Sequence, residues 1–184
     1  AESDMIADMT EFYDQYASEL TREVYNSEGP GILQSATFDG HLMAVPYADA
    51  SVESTHYLWI RQDWLDKLQL EPPKTMQDLQ NIAEAFTTRD PDGNGKDDTY
   101  AMAVTKDLYS GAMGTEGFFA GYHSYPNMWV KTDDGTLAWG SVLPETKDAL
   151  KALADMYAAG ELDPEFGIKD GAKVAETIAA GKVG

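Results

Sequence analysis

Short apolar runs alternate with longer segments of helical periodicity along most of this chain. Runs such as YLWIR at 57–61 and YAMAV at 100–104 have the length and the apolar content of buried strands. Between them, Thr75 with Asp78 forms a capping-box pattern that opens an amphipathic helix. Alternation of this kind places strands side by side with helices packed across them. The pattern therefore predicts an α/β fold, organised as one compact lobe over residues 1–184.

The other elements are predicted from the same patterns of hydrophobicity, turn residues and caps. Trp59 and Trp64 are predicted core residues, and Arg61 with Asp63 is expected to form a structural ion pair. The remaining predicted elements are a helix from Met5 to near Gly29-Pro30, a strand from His41 stopped by Pro46, a helix at 62–70, helical structure within 110–122, a hairpin turning at Asp134-Gly135 with Trp129 paired to Trp139, and helices at 144–160 and 170–181.

The chain carries a formal net charge of −19, from 32 acidic against 13 basic residues. This charge argues against nucleic acid or an anionic membrane surface as a partner, because both would be repelled. Solubility alone explains such a surface equally well. Cysteine is absent, which excludes disulfides, thiol catalysis and zinc–thiolate sites. No apolar run approaches the ~20 residues of a membrane span, and we expect a monomer.

Nothing in the chain has the pattern of a catalytic centre. The three histidines, His41, His56 and His123, lie in no recognisable motif, and no glycine-rich phosphate loop occurs. A carboxylate pair for glycoside hydrolysis can only be chosen arbitrarily from the 32 acidic residues. Because an enzyme needs a nucleophile–base pair or an open metal site, we predict that the protein is not an enzyme.

The stretch DPDGNGKDDTY, residues 90–100, concentrates oxygen ligands in one loop. Gly95 at position 6 permits a sharp turn, and the carbonyl of Lys96 at position 7 can point inward. Side-chain oxygens fall at positions 1, 3, 5 and 9, namely Asp90, Asp92, Asn94 and Asp98. This spacing is typical of an EF-hand-type calcium loop, in which alternate residues converge on one ion.

The loop departs from an EF-hand at position 12, where Ala101 replaces the bidentate glutamate. A predicted strand also replaces the exiting helix. The missing ligands must therefore come from water, from Thr99 or from elsewhere in the chain. We predict a bound Ca²⁺ that acts as a structural clamp, because the loop lies far from any evident nucleophile or base. The alternative is a solvated acidic turn without a metal.

The order of these segments resembles the extracellular solute-binding proteins of bacterial ABC importers. The resemblance is carried by DGHLMAVPY, YLWIRQDWLDKLQLEPPKTMQDL, the oxygen-rich loop with YAMAV, and DDGTLAWGSVLPETKDALKALADMYAAGELDPEF followed by AETIAAGKVG. Its carbohydrate-binding group, which includes maltodextrin-binding proteins and oligosaccharide-binding lipoproteins, is the most similar. The resemblance covers nearly the whole chain but implies only one lobe of the two-lobed, type II periplasmic-binding-protein fold.

The resemblance also implies a longer parent protein. The chain begins with Ala1 and shows no signal peptide, and it looks like a second lobe cut from something longer. The parent is expected to be extracellular and anchored through a lipidated N-terminus, or periplasmic. Several oligosaccharide-binding members of the family carry a structural calcium loop just before a strand, which agrees with the clamp role expected for residues 90–98.

Ligands of this family lie in the cleft between the lobes. In maltodextrin-binding members an acid and an aromatic residue two positions apart follow the strand that corresponds to YAMAV, and Asp107 and Tyr109 occupy those positions here. A carboxylate accepts hydrogen bonds from sugar hydroxyls, and an aromatic ring stacks on a pyranose. Tyr47 and His56 are further candidates. Packing on the core is the alternative role for Tyr109. For Tyr47 the alternative is an aromatic residue at the end of a strand without a role in binding.

The resemblance implies a protein that captures an extracellular carbohydrate, with an oligosaccharide expected, and delivers it to the permease subunits of an ABC importer. The alternative is a calcium-stabilised surface interaction module without sugar binding, which would share the loop but need no aromatic residues in a cleft. We expect the isolated lobe to bind sugar weakly or not at all, since half of the contacts are missing.

Overall fold

The computed structural model describes residues 5–27, 29–48, 55–109 and 113–184. By its internal contacts the chain divides into two compact units, Ala1–Thr55 and His56–Gly184. Their membership of a single lobe stays a prediction. Within the described ranges, every helix is too short or too polar to cross a membrane.

The first unit contains short helices and one small hairpin. Its elements are α1 (Thr10–Tyr16), α2 (Glu19–Asn26), α3 (Gly31–Gln34), β1 (Thr37–Phe38) and β2 (His41–Leu42). The single long helix predicted here is wrong, because Ser18 interrupts it: its side chain accepts a hydrogen bond from the Thr21 amide at 3.1 Å and caps α2. The predicted strand from His41 ends already at Leu42, well before Pro46.

The second unit contains most of the helices. They are α4 (Gln62–Leu68), α5 (Met76–Thr88), α6 (Glu116–Gly121), α7 (Pro144–Ala158) and α8 (Gly171–Ala179), with 3-10 turns at Gly140–Val142 and Phe166–Ile168. The predicted helices at 62–70, 144–160 and 170–181 are confirmed within a few residues. For the stretch 110–122 the helix begins only at Glu116, and residues 110–112 lie outside the described part of the chain.

The run YLWIR is not the central strand that its composition predicts. Residues 57–61 adopt no regular secondary structure, and Trp59 is 87% exposed, so the prediction of a core role for Trp59 is wrong. An apolar run becomes a buried strand only when neighbouring strands take up its backbone hydrogen bonds. Among the residues described, no segment pairs with this run.

The YAMAV run makes isolated parallel bridges in place of a continuous ladder. Tyr100 pairs with Val183, and Met102 pairs with Leu162. The Tyr100 amide donates to the carbonyl of Lys182 at 2.8 Å. The predicted strand is therefore reduced to two pairing points, and both connect it to segments much later in the sequence.

Among the described residues of this unit, regular sheet is found in the antiparallel pair β3 (Trp129–Lys131) and β4 (Leu137–Trp139). Trp129 lies opposite Trp139 in an edge-to-face contact with ring centroids 5.4 Å apart, as predicted. After β4 the chain passes very close to another segment. A β-carbon on Gly140 would lie 2.0 Å from the carbonyl oxygen of Tyr125, so only glycine fits there.

Two buried clusters form the core of the second unit. One consists of Trp64, Leu65, Leu68, Ile82, Ala85 and Phe86, and the other of Ala83, Val104, Phe118, Phe119, Ala149, Ala152, Leu153, Met156 and Leu162. Helix α5 contributes to both clusters, so it joins them. The Arg61 guanidinium pairs with Asp63 at 2.5 Å, which confirms the predicted ion pair, and also lies 4.7 Å from the Trp64 ring centroid.

Candidate functional site

The oxygen-rich loop follows α5 and winds tightly through left-handed backbone. Asp90, Gly93 and Gly95 have φ values of +45°, +77° and +76°. Aspartate tolerates this conformation because its short side chain can bond to the nearby backbone. The Asp90 carboxylate accepts hydrogen bonds from the Gly93 amide at 3.0 Å and the Gly95 amide at 3.1 Å. The side chain at position 1 therefore organises the turn that follows it.

Asn94 lies at the centre of the loop and joins two carboxylates. Its side-chain Nδ2 donates to Asp92 Oδ2 at 2.7 Å and to Asp98 Oδ1 at 3.0 Å. Its Oδ1 accepts from the Lys96 amide at 2.8 Å. The fold thus brings together the side chains of positions 3, 5 and 9, with the Nδ2 of Asn94 and not its oxygen facing the two carboxylates. The assignment of these residues as metal ligands stays a prediction.

Two lysines from outside the loop contact it. Lys67 on α4 donates to the carbonyls of Asp90 and Pro91, at 3.1 and 2.9 Å. Lys182 donates to Asp98 Oδ2 at 2.5 Å and lies 3.8 Å from Asp92 Oδ2. The hydrogen bond from Lys182, followed by the one from Asn94, lowers the pKa of Asp98. Neither lysine was identified from the sequence. Lys67 lies 23 residues from Asp90 and Lys182 lies 84 residues from Asp98, and no local pattern links residues so far apart.

The donor set fits a hard cation in its chemistry. Three carboxylates and one carboxamide are the oxygen ligands that Ca²⁺ prefers. However, no three acidic or histidine side chains within the described ranges lie close enough together to hold a metal ion. Thr99 does not supply the missing ligand: it is buried, and its hydroxyl donates to the Phe86 carbonyl at 2.7 Å. A bound ion would therefore need the carboxylates to move closer and water to complete its shell.

The predicted sugar contacts lie in both units. Tyr47 belongs to the first unit and is 88% exposed. In the second unit, Asp107 is exposed and Tyr109 is half-buried, with its ring 5.4 Å from that of Phe119 on α6. Burial and, to a lesser extent, Glu116 raise the pKa of the Tyr109 hydroxyl. Core packing, the alternative role for Tyr109, is thus present, and the residue as a whole is partly exposed.

His56 lies beside the same short helix. A β-carbon placed on Gly117 of α6 would be 3.6 Å from the Cβ of His56 and 3.8 Å from its Nδ1. Helix α6 therefore has Tyr109 and His56 against it, and its glycine allows the histidine a close approach. The assignment of Tyr47, His56, Asp107 and Tyr109 as ligand contacts stays a prediction.

Comparison with known proteins identifies relatives of this chain. No protein-family model matches. The chain is 34% identical over 153 residues to the polygalacturonan/rhamnogalacturonan-binding protein YtcQ of Bacillus subtilis (strain 168). The matched region covers 83% of this chain and 30% of YtcQ. It is 29% identical over 177 residues to FusA, the fructooligosaccharide ABC transporter substrate-binding protein of Streptococcus pneumoniae. Here the matched region covers 90% of this chain and 32% of FusA. It also resembles lipoprotein LipO of B. subtilis, at 34% identity over 68% of this chain and 25% of LipO.

Solved structures give the same result for the fold. FusA in complex with kestose matches all of this chain and 39% of the FusA chain, with a TM-score of 0.71 and 26% identity. A FusA EF-hand mutant in complex with fructo-nystose matches with a TM-score of 0.73 and 24% identity, again over 39% of its length. Over most of its length this chain is thus related to the sugar-binding, extracellular solute-binding proteins of bacterial ABC importers, matches part of their α/β type II fold, and spans about a third of their length.

Proposed function

We propose that this chain is part of a solute-binding protein that captures an oligosaccharide outside the cell membrane and delivers it to an ABC permease. The observation that carries the proposal is the 34% identity to a polysaccharide-binding protein over 83% of the chain. The parent would close two lobes on its ligand by hinge motion. It would be extracellular through a lipid anchor, or periplasmic. Because the curated relatives are named as binding proteins, a function without catalysis fits them.

Within this function, Tyr47, His56, Asp107 and Tyr109 are the proposed sugar contacts. An exposed carboxylate and an accessible aromatic ring near α6 can bond sugar hydroxyls and stack on a pyranose. Alanine at Asp107 or Tyr109 in the parent protein is expected to weaken oligosaccharide binding about tenfold or more, measured by titration calorimetry. Unchanged affinity in both variants, with an unchanged melting temperature, would remove these two residues from the site.

We also propose that the loop binds Ca²⁺ as a structural ion. The ion would be held by the side chains of Asp90, Asp92, Asn94 and Asp98 and by the carbonyl of Lys96. It would stabilise the conformation of the loop that connects α5 to Tyr100. That one FusA structure is described as an EF-hand mutant supports a loop of this kind in a relative. Calcium is expected to raise the melting temperature of the chain, and excess chelator is expected to reverse the increase.

The alternative function is a calcium-stabilised interaction module without a sugar ligand. The relatives named above favour sugar binding, since two of them are named for polysaccharide or oligosaccharide ligands. A glycan array probed with the parent protein separates the two functions. Binding to plant-polysaccharide fragments or fructooligosaccharides supports the transport function, whereas no binding to any glycan supports the alternative. Micromolar sugar binding by the 184-residue chain alone would contradict the expectation that both lobes are required.

A further inference from the structure

We propose that Lys182 is an internal cation of the loop at residues 90–98, which holds the carboxylates of Asp92 and Asp98 in the metal-free protein and lowers the affinity of the loop for calcium. The inference rests on the calcium loop proposed above. It adds a residue outside the loop that sets the strength of metal binding.

The ammonium of Lys182 occupies the space between two proposed metal ligands. Its Nζ lies 2.5 Å from Asp98 Oδ2 and 3.8 Å from Asp92 Oδ2. The Asn94 carboxamide bridges the same two residues through its N–H groups. The side chains of Lys182, Asp92 and Asp98 are 30%, 21% and 37% exposed, so the three charged groups are partly shielded from solvent. Two donor groups thus satisfy the carboxylates that a calcium ion would use.

The position of Lys182 is fixed by its backbone. Its carbonyl accepts from the Tyr100 amide at 2.8 Å, and the Gly184 amide donates to the Tyr100 carbonyl at 3.2 Å. Val183 forms the parallel bridge with Tyr100. Because Tyr100 follows Asp98 by two residues, the loop and the end of the chain are joined by both backbone and side-chain bonds. The ammonium therefore returns to the same carboxylates each time this pairing forms.

An ammonium and a calcium ion cannot share these carboxylates at low cost. Calcium ligands lie at about 2.3–2.6 Å from the ion, so an ion bound by Asp92 and Asp98 would lie close to the Lys182 ammonium. Like charges a few ångströms apart repel strongly when they are partly shielded from water. Calcium binding therefore requires the ammonium to leave. By reciprocity, the ammonium weakens calcium binding by the same factor by which calcium weakens the Lys182 contact.

The test is calcium titration calorimetry of the 184-residue chain and two variants. Lys182→Met keeps the aliphatic stem and removes the ammonium, so its calcium affinity is expected to rise about tenfold or more. Lys173→Met is the matched control: it removes one positive charge from α8, where the ammonium pairs with Glu176 at 2.8 Å and contacts no loop carboxylate. Its calcium affinity is expected to change less than about twofold, because the charge is screened over distance.

Thermal unfolding gives an independent measurement. In chelator, Lys182→Met is expected to melt below the unaltered chain, since two carboxylates lose their cation. The increase in melting temperature on adding calcium is expected to be larger in the variant. If Lys182→Met does not fold without calcium, Lys182→Gln, which retains a hydrogen-bond donor, replaces it in both measurements.

The outcomes separate the two proposals. If the unaltered chain binds calcium and Lys182→Met binds it equally or more weakly, the role of Lys182 is wrong and the calcium loop stands. If neither binds calcium, the calcium loop itself is wrong. Binding only by the variant would support both proposals and show that the lysine alone blocks the loop.

Discussion

The carboxylate of Asp134 at the tip of the β3–β4 hairpin accepts three hydrogen bonds from two threonines. They come from Thr132 Oγ1 at 2.5 Å, the Thr136 amide at 3.0 Å and Thr136 Oγ1 at 2.8 Å. These bonds, with the Thr132 hydroxyl contributing most, lower the pKa of Asp134 from 3.8 to about 2. A carboxyl whose pKa is lowered on folding stabilises the fold above its unfolded pKa, and this contribution disappears as the pH falls through the folded value.

Replacing Thr132 by valine is expected to raise the pKa of Asp134 from about 2 towards 3.8, because the strongest donor to the ionised form is removed. Carboxyl chemical shifts followed by NMR between pH 1.5 and 6 measure this change. In the unaltered protein the contribution of Asp134 to hairpin stability should be lost between about pH 3.8 and 2, and above this range it should be smaller in the variant. Thr88→Val on α5 is the control, and it should leave the Asp134 titration unchanged. An unaltered pKa in Thr132→Val would contradict the assignment.

At the scale of elements, helix α5 begins with the capping box that the sequence predicts. The Thr75 side chain accepts from the Asp78 amide at 3.1 Å, and the Asp78 carboxylate accepts from the Thr75 amide at 3.0 Å. Both bonds satisfy amides that have no partner within the helix. Because α5 contributes to both core clusters, the stability of its first turn affects the packing of the whole second unit.

The change Thr75→Ala is expected to lower the free energy of unfolding by ~1 kcal/mol, as for other N-cap replacements. In a chain of this size the corresponding decrease in melting temperature is about 2–4 °C. Thr88→Ala, at the other end of the same helix, is the control. Its hydroxyl donates only to the Glu84 carbonyl at 2.7 Å, so its effect should stay within about 0.5 kcal/mol. Equal effects of the two changes would show that the cap has no special role.

The packing of α4 on α5 depends on an edge-to-face contact between Trp64 and Phe86, with ring centroids 5.2 Å apart. Phe86 is 1% exposed, and Phe86→Ala is expected to cost ~3–5 kcal/mol in urea unfolding because it leaves a cavity. Trp59→Ala is the matched control, since it removes a larger aromatic side chain that is 87% exposed. A loss from Trp59→Ala as large as that from Phe86→Ala would contradict the exposed position of residues 57–61.

Over the whole molecule, the acidic side chains behind the net charge of −19 repel one another. The ion pairs in the described part of the chain, such as Lys182 with Asp98 and Lys169 with Asp163, compensate only a few of the 32 acidic residues. Unpaired carboxylates disfavour the compact state through their mutual repulsion, which added salt screens.

Raising the NaCl concentration from 10 to 150 mM is expected to increase the melting temperature in the presence of chelator. The Debye length shortens from ~30 to ~8 Å over this range, and each ~1 kcal/mol of relieved repulsion corresponds to about 2–4 °C. Thermal unfolding followed by circular dichroism measures the change. At pH 4.5, where many carboxylates are protonated, the same salt step should have a smaller effect. An equal effect at both pH values would indicate a cause other than carboxylate repulsion.

Features that depend on near neighbours in the chain can be predicted from local sequence patterns. The capping box of α5, the hairpin turn at Asp134-Gly135 and the cross-strand tryptophan pair each result from residues close together in the chain, so local patterns predict them. Asp92, Asn94 and Asp98 also lie close together in the chain, and hydrogen bonds donated by Asn94 join them. The family resemblance was visible for the same reason, because it is carried by continuous segments.

Long-range contacts in the folded chain determine which apolar runs become strands and which charged side chains lie together. The composition of residues 57–61 is that of a buried strand, but a strand exists only where other segments accept its hydrogen bonds, and sequence patterns do not reveal pairing at long range. Thr99 was a candidate ligand until the fold placed its hydroxyl on Phe86. Lys182 reached the loop from 84 residues away, because backbone pairing at Tyr100 brought the end of the chain beside it. Electrostatic interactions act through space, so the neighbours of a charge depend on the folded chain and cannot be inferred from the order of its residues.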